Sequence, residues 1–143
     1  MREALALAAH AGEAGEVPVG AVVILDGRIV GRGSNQPIAT HDPTAHAEIV
    51  ALRDAARAIG NYRLTGATLY VTVEPCLMCV GACVHARVGT LVYGTIEPRA
   101  GAIESRQRAY EHPSLNHKMT IVAGVLADEC RRQMLRFFHE RRR

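Results

Sequence analysis

Two short stretches of this chain carry the residue types of a metal-dependent hydrolytic site, Thr44-Ala45-His46-Ala47-Glu48 and Glu74-Pro75-Cys76-Leu77-Met78-Cys79. Together they offer one imidazole, two thiols and a carboxylate. Zinc takes N and S donors in a tetrahedron, and a catalytic zinc leaves its fourth position to water. His46, Cys76 and Cys79 supply three ligands, and Glu48 remains as an acid/base group. Zn²⁺ with two thiolates and a neutral imidazole is formally neutral, so it acidifies water less than a three-histidine site does. A carboxylate that takes the water proton and passes it to a leaving group fills that gap, and Glu48 is placed to do so.

The elements that must position these groups follow from the local sequence. Pro43 after a potential N-cap, Asp42, and Pro75 before the cysteines both suit the first position of a helix. Cys76 and Cys79, three apart, would then share one helix face about 5–6 Å apart. Free N–H groups and the positive end of the helix dipole lower thiol pKa values there and favour a zinc-bound hydroxide, with the Cys76 N–H as a candidate donor. Other readings of the cysteine pair are half of a structural zinc site, a redox pair or two core cysteines. No thioredoxin-like pattern surrounds it, and no second Cys-x-x-Cys or His-x-x-x-His exists to complete a four-ligand site. Cys83 lies one turn beyond Cys79 and reads as a core cysteine, with an alternate metal ligand as the other reading.

His46-Ala47-Glu48 followed by Pro75-Cys76-x-x-Cys79 resembles the zinc-dependent nucleobase deaminases, whose signature joins H-x-E to P-C-x-x-C. Longer runs are similar to one branch, the bacterial tRNA-specific adenosine deaminases. These are Glu16-Val17-Pro18-Val19-Gly20-Ala21, His41 to Glu48, Asn61-Tyr62-Arg63-Leu64, Thr68 to Thr72, Asn116-His117 and Leu126-Ala127-Asp128-Glu129-Cys130. The resemblance runs from about Glu16 to Phe138 and implies a cytidine-deaminase-like fold. It also implies one zinc per subunit, a homodimer with the active site near the interface, and Asn35 and Asn116 orienting the nucleotide. The chain departs from the family at Glu97-Pro98-Arg99-Ala100-Gly101-Ala102, where the family shows Asp, with Pro and Lys following, then Gly-Ala. Glu97 keeps the charge with one more methylene, and Arg99 keeps the cation that a phosphate favours.

The chain of 143 residues suits one domain, 1–143, with a substantial core. With 48% hydrophobic and 22% charged residues, it is no disordered segment. Net charge is +3 and pI about 8.9, with the arginines clustered. Four cysteines, three of them on one segment, fit metal binding in a reducing compartment better than a disulfide framework. The apolar run from Ala4 to Ala9 is too short for a signal peptide and no stretch approaches a membrane span, so a cytoplasmic protein is expected.

Met1 to Gly15 reads as a helix. Val19 to Leu25 and Arg28 to Gly33 read as a hairpin turning at Asp26-Gly27. Asn35-Gln36-Pro37 leaves the sheet as a loop, where Asn35 is either a turn residue or, as the resemblance implies, a substrate contact. Pro43 to Gly60 reads as a helix with Ile49, Leu52, Ala56 and Ile59 as its buried stripe. Strands follow at Leu69 to Val73, Val88 to Gly94 and Thr120 to Val125, with the second site helix between the first two. The expected architecture is a three-layer α/β/α sandwich with a mixed five-stranded sheet.

The long basic loop from Thr95 to Asn116 has the character of a functional loop. The last helix, Ala127 to Arg143, carries Cys130, Met134 and Phe137 on one face. Arg131, Arg132, Arg136 and Arg141 to Arg143 make it basic. A docked helix with a solvated face, a membrane-facing amphipathic helix and an RNA-binding helix are the three readings. Arginines beside Phe137-Phe138 suit phosphates plus base stacking, which is how single-stranded RNA loops are bound. Taken with these residues, the resemblance implies hydrolytic deamination of adenosine to inosine at the wobble position of a tRNA anticodon loop; the local residues alone do not distinguish adenine from cytosine. Zinc-bound hydroxide attacks C6, Glu48 shuttles the proton, and no nucleotide cofactor or membrane is needed. The rivals are a deaminase of free nucleosides or bases (cytidine, adenine or guanine) and a noncatalytic zinc-stabilised RNA-binding module.

Overall fold

The structure, a computed structural model, describes residues 1–142; Arg143, expected in the last helix and its basic cluster, lies outside the described residues. Helix α1 (Arg2–Glu13) precedes the hairpin of β1 (Gly20–Leu25) and β2 (Arg28–Ser34). Asp26 and Gly27 both take positive φ at its tip, the backbone that a tight hairpin of this twist requires. A four-residue helix α2 (Pro37–Thr40) follows where a loop was expected, and then α3 (Ala47–Ile59), β3 (Thr68–Val73), α4 (Leu77–His85) and β4 (Thr90–Thr95). A 3₁₀ turn at Ala109–Glu111, β5 (Thr120–Ala123) and α5 (Ala127–Arg141) complete the chain.

The strands form one mixed sheet in the order β2-β1-β3-β4-β5, with β1 antiparallel to both neighbours and β3, β4 and β5 mutually parallel. Helices cover both faces, as a sheet buried on both sides requires. Helix α1 packs on β1 and touches α5, while α3 packs on β2 and touches α4. The α/β/α sandwich with five strands is therefore as the sequence predicted. None of its helices is long and apolar enough to cross a membrane among the described residues.

The contact of α3 with β2 is unusually close, and composition explains it. Ala47, Ala51 and Ala55 are fully buried on the inner face of α3, opposite Gly31 and Gly33. A Cβ on Gly33 would lie 2.3 Å from the Ala47 carbonyl oxygen and 2.5 Å from the Ala51 nitrogen. Gly20 of β1 meets Ala4 and Ala8 of α1 in the same way on the opposite face. Glycine facing alanine lets helix backbone rest on strand backbone. This alanine face corrects the expected stripe: Ile49 and Leu52 are buried, but Ala56 is only half-buried and Ile59 is exposed.

Two helix starts also differ from expectation. Asp42 spends its carboxylate on the backbone N–H (2.8 Å) and hydroxyl (2.7 Å) of Thr44, closing a turn two residues on rather than capping a helix. Pro43 therefore lies in that turn, and α3 begins four residues later, capped at His46. Likewise α4 begins at Leu77, with Cys76 as its N-cap and Pro75 outside it. At the far ends the reading holds: Gly60 stops α3 in the left-handed conformation.

Gly33→Ala is expected to force the N-terminal turn of α3 off the sheet. The clash is with backbone atoms that no side-chain rearrangement removes, so it should destabilise the fold by about 1–3 kcal/mol or somewhat more. Thermal melts of the zinc-loaded variant and parent, with zinc content measured on both, would check this.

Candidate metal centre and active site

Sheet topology brings the two stretches together. Because β1 runs antiparallel to both β2 and β3, the C-terminal ends of β2 and β3 flank its N-terminus. The chain leaves β2 through Asn35 towards α3 and leaves β3 through Glu74-Pro75 towards α4, so both helix N-termini arrive at one end of the sheet. The Oδ1 of Asn35 accepts a hydrogen bond from the Ala47 N–H at 2.8 Å, fastening the first turn of α3 beside the hairpin exit. Its amide NH₂ is then the group left to face the pocket.

His46 and Cys76 are thus the N-cap residues of α3 and α4, and Cys79 sits in the first turn of α4. The two cysteines are therefore not both helical, as the spacing alone implied; the N-cap bends Cys76 out of the helix path. The Nδ1 atom of His46 lies 3.6 Å from the sulfur of Cys76 and 3.6 Å from that of Cys79, and the three ligand atoms all fall within 4.8 Å of one another. A tetrahedral zinc with ordinary Zn–N and Zn–S bonds requires N···S edges of about 3.6 Å. The donor set and its spacing fit the ion. Cys83 is fully buried, its thiol pushed up by burial, and is no member of this cluster. It is the core cysteine the sequence indicated.

Electrostatics sort the site further. Without metal, the Cys76 thiol is pulled down to about 5, mainly by the neighbouring Cys79 thiol, with the Cys79 N–H and the His46 imidazole adding to it against burial. Cys79 is pushed up, so Cys76 gives up its proton first. Glu48, in the first turn of α3, is 4% exposed. Burial raises its carboxyl above the usual carboxylate range, with the Cys76 charge adding and its own backbone N–H opposing. A carboxyl raised towards neutrality can both take and give a proton.

These groups line a pocket of about 250 Å³, whose walls include Val17, Asn35, His46, Glu48, Cys76, Glu97, Ala100 and Met134. Beyond Glu97 and Met134, which line both spaces, lies a larger, mostly apolar hollow of about 410 Å³ formed by Ile96, Pro98, Arg99, Arg131, Leu135, Phe138 and Arg142. Of the expected substrate contacts, Asn35 and Glu97 reach the pocket, while Arg99 and Phe138 reach the hollow. Two do not fit. Asn116 is exposed and lines neither space. Phe137 turns inward, with the Arg141 guanidinium 4.4 Å above its ring and Arg141 donating to the Gly15 carbonyl at 2.9 Å. It docks the helix rather than offering a free face. Met134 and the buried Glu74 also line the pocket and were passed over. An acidic residue ending the apolar strand of Thr68–Val73 was the available signal for Glu74.

Comparison with known proteins agrees with this site. Residues 1–95 match the family defined by the cytidine and deoxycytidylate deaminase zinc-binding region. The chain is 50% identical over 143 residues to a tRNA-specific adenosine deaminase of Haemophilus influenzae, covering 99% of this chain and 83% of that protein. It is 41% identical to the Bacillus subtilis protein of the same name, covering 100% and 89%. A solved structure from work on A-to-I editing by tRNA:A34 deaminases superposes with a TM-score of 0.91 at 44% identity, covering 93% of this chain and 96% of that one. Motif, fold and sequence coverage converge, and the protein belongs to the zinc-dependent cytidine and deoxycytidylate deaminase family.

Proposed function

We propose that residues 1–143 form a single domain that hydrolytically deaminates adenosine to inosine at the wobble position of a tRNA anticodon. The observation that carries this reading is the adjacency of two spaces. A pocket sized for one base, with His46, Glu48 and Cys76 in its wall, shares Glu97 and Met134 with an adjoining apolar hollow bordered by arginines. A free nucleoside has no use for the second space, whereas a loop nucleotide arrives with its neighbours attached. The high identity to tRNA-specific adenosine deaminases favours adenine over cytosine as the base.

In this reading His46, Cys76 and Cys79 hold zinc, the family's cofactor. Bound there, the metal supplies Lewis acidity that makes water a competent nucleophile at neutral pH. Glu48 accepts one proton of the water attacking C6 and delivers it to N1, then takes the proton of the new C6 hydroxyl and passes it to the amine as the C6–N bond breaks, so that adenosine and water become inosine and ammonia. Burial suits Glu48 to both halves of that transfer. The free amide NH₂ of Asn35 orients the base by donating to one of its acceptors. An anticodon base is unpaired, so extruding it into the pocket costs little.

Helix α5 supplies the second surface. Arg131, Leu135, Phe138 and Arg142, spaced i, i+4, i+7 and i+11, make one exposed stripe along it. Phe138 is placed to stack a flanking base and the arginines to meet phosphates. A homodimer and a cytoplasmic location belong to the same reading. Leu77 and Met78 give α4 an exposed apolar first turn for a second copy, and four unpaired thiols accord with a reducing compartment.

Two outcomes are expected. With an anticodon stem-loop as substrate and inosine as the product measured, Glu48→Gln should keep its zinc but lose on the order of 10²–10⁴-fold in kcat. Turnover of free nucleosides but not RNA by the parent would shift the reading to a small-molecule deaminase. Phe138→Ala should weaken RNA binding about tenfold or more with little change in thermal stability. Phe137→Ala should instead lower the melting temperature, because it removes docking contacts with α1.

A further inference from the structure

Two buried carboxylates take no part in the chemistry above. Glu16, 3% exposed, accepts hydrogen bonds from the backbone N–H groups of Ile38 (3.2 Å) and Ala39 (2.9 Å) and so fastens α2 beside the pocket. Glu74, also 3% exposed, is more heavily engaged. Its Oε1 accepts from the Glu97 N–H at 2.9 Å and from the Ser105 hydroxyl. Its Oε2 accepts from the N–H groups of Ile103 (3.0 Å), Glu104 (2.8 Å) and Ser105 (3.0 Å). Both oxygens are thus filled by donors from one irregular segment, residues 97–105.

Other contacts show that the segment is shaped around that carboxylate. A Cβ on Gly101 would lie 2.3 Å from the Glu74 carboxyl carbon, so only glycine lets the backbone wrap this closely. Ala102 and Ile103 are buried and anchor the far end, and the Tyr93 hydroxyl donates to the side chain of Glu104. The near end has no buried side chain to anchor it, and its backbone tie besides Glu74 is local, the Gly101 N–H donating to the Glu97 carbonyl at 2.8 Å. Pro98, Arg99 and Ala100 are exposed, and the Glu97 N–H bond to Glu74 is what ties that end to the strand β3 exit. Yet this near end forms the wall between the two spaces: Glu97 and Ala100 line the pocket, and Glu97, Pro98 and Arg99 line the hollow.

We propose that Glu74 is a positioning residue that holds residues 97–105 as a preformed wall between the catalytic pocket and the adjoining hollow, so that nucleotides flanking the target base meet an ordered surface. The proposal rests on the RNA reading given above. Left loose, the segment would have to be ordered at the moment of binding, at an entropic cost for each residue. Charge-assisted hydrogen bonds from several amides to one carboxylate remove that cost in advance. Glu74 touches no reacting atom in this role, and its effect reaches the substrate through Glu97 and its neighbours.

The test compares zinc-loaded, full-length parent with Glu74→Gln, Gly101→Ala and the milder Ser105→Ala, which removes one donor and leaves every amide in place. Three quantities are measured: zinc per chain, amide hydrogen exchange, and kcat and KM on an anticodon stem-loop. In Glu74→Gln an NH₂ replaces one acceptor and faces N–H groups, so exchange across 97–105 should quicken by about tenfold or more while α3 and α4 keep their protection. KM should rise by a similar factor, with kcat changed less than about threefold and zinc retained. Gly101→Ala should reproduce that pattern, and Ser105→Ala should show a weaker version even if the other two fold poorly. Unchanged exchange in 97–105 would overturn the proposal. So would loss of zinc or of kcat at constant KM, which would place the role of Glu74 at its neighbour Cys76. A parent that converts no RNA would defeat the substrate reading, while the exchange comparison would still decide whether Glu74 orders the wall.

Discussion

The close contact of glycine strands with alanine helices is the constraint on which the site depends. Gly31 and Gly33 of β2 let the backbone of α3 settle directly onto the sheet, and Ala47, the first residue of α3, is part of that contact. Residues on either side of Ala47 are the candidate zinc ligand and the candidate acid/base group. His46 precedes it at the N-cap and Glu48 follows it into the interior. A helix that stood off the sheet by the thickness of a methyl group would carry both side chains with it. The separations of 3.6 Å that match a zinc tetrahedron leave no room for such a shift.

The second half of the site is delivered by different means. Strand β3 ends at Glu74-Pro75, and α4 starts immediately afterwards with Cys76 as its cap. Two helix N-termini therefore face one small volume, and their dipoles and free N–H groups favour the thiolate form there. The Cys76 thiol is lowered mainly by the Cys79 thiol, with the Cys79 N–H in the first turn of α4 adding to it, and burial raises the Glu48 carboxyl. Two acidic groups in neighbouring positions are driven apart by environment, one towards the anion and one towards the neutral acid. That separation suits a ligand on one side and a proton carrier on the other.

Around this centre, buried carboxylates do structural work that helices and strands do elsewhere. Irregular segments form much of the pocket wall, and irregular backbone leaves N–H groups without regular partners. Glu16 satisfies those at the start of α2, and Glu74 satisfies those of residues 97–105. Neither is a surface charge, and each sits at the foot of the segment it holds.

By itself the sequence determined the three clustered metal-ligand candidates and the carboxylate beside them, the hairpin at Asp26-Gly27, the order of the five strands and the main helices, and the membership of Cys83 in the core. These follow from residue type and short-range spacing, which the chain carries wherever it folds. Capping competition decided the helix starts: Asp42 turned its carboxylate to Thr44, and the caps passed to His46 and Cys76. Docking decided the aromatic pair. Adjacent residues on a helix point about 100° apart, so once Cys130 and Met134 faced the body, Phe137 went with them and Phe138 was left to solvent. Asn116 lies outside the pocket, exposed between the 3₁₀ turn and β5, and nothing in its own neighbourhood encodes that placement. Glu74 drew its significance from amides more than twenty residues away, and only tertiary structure brings such partners together.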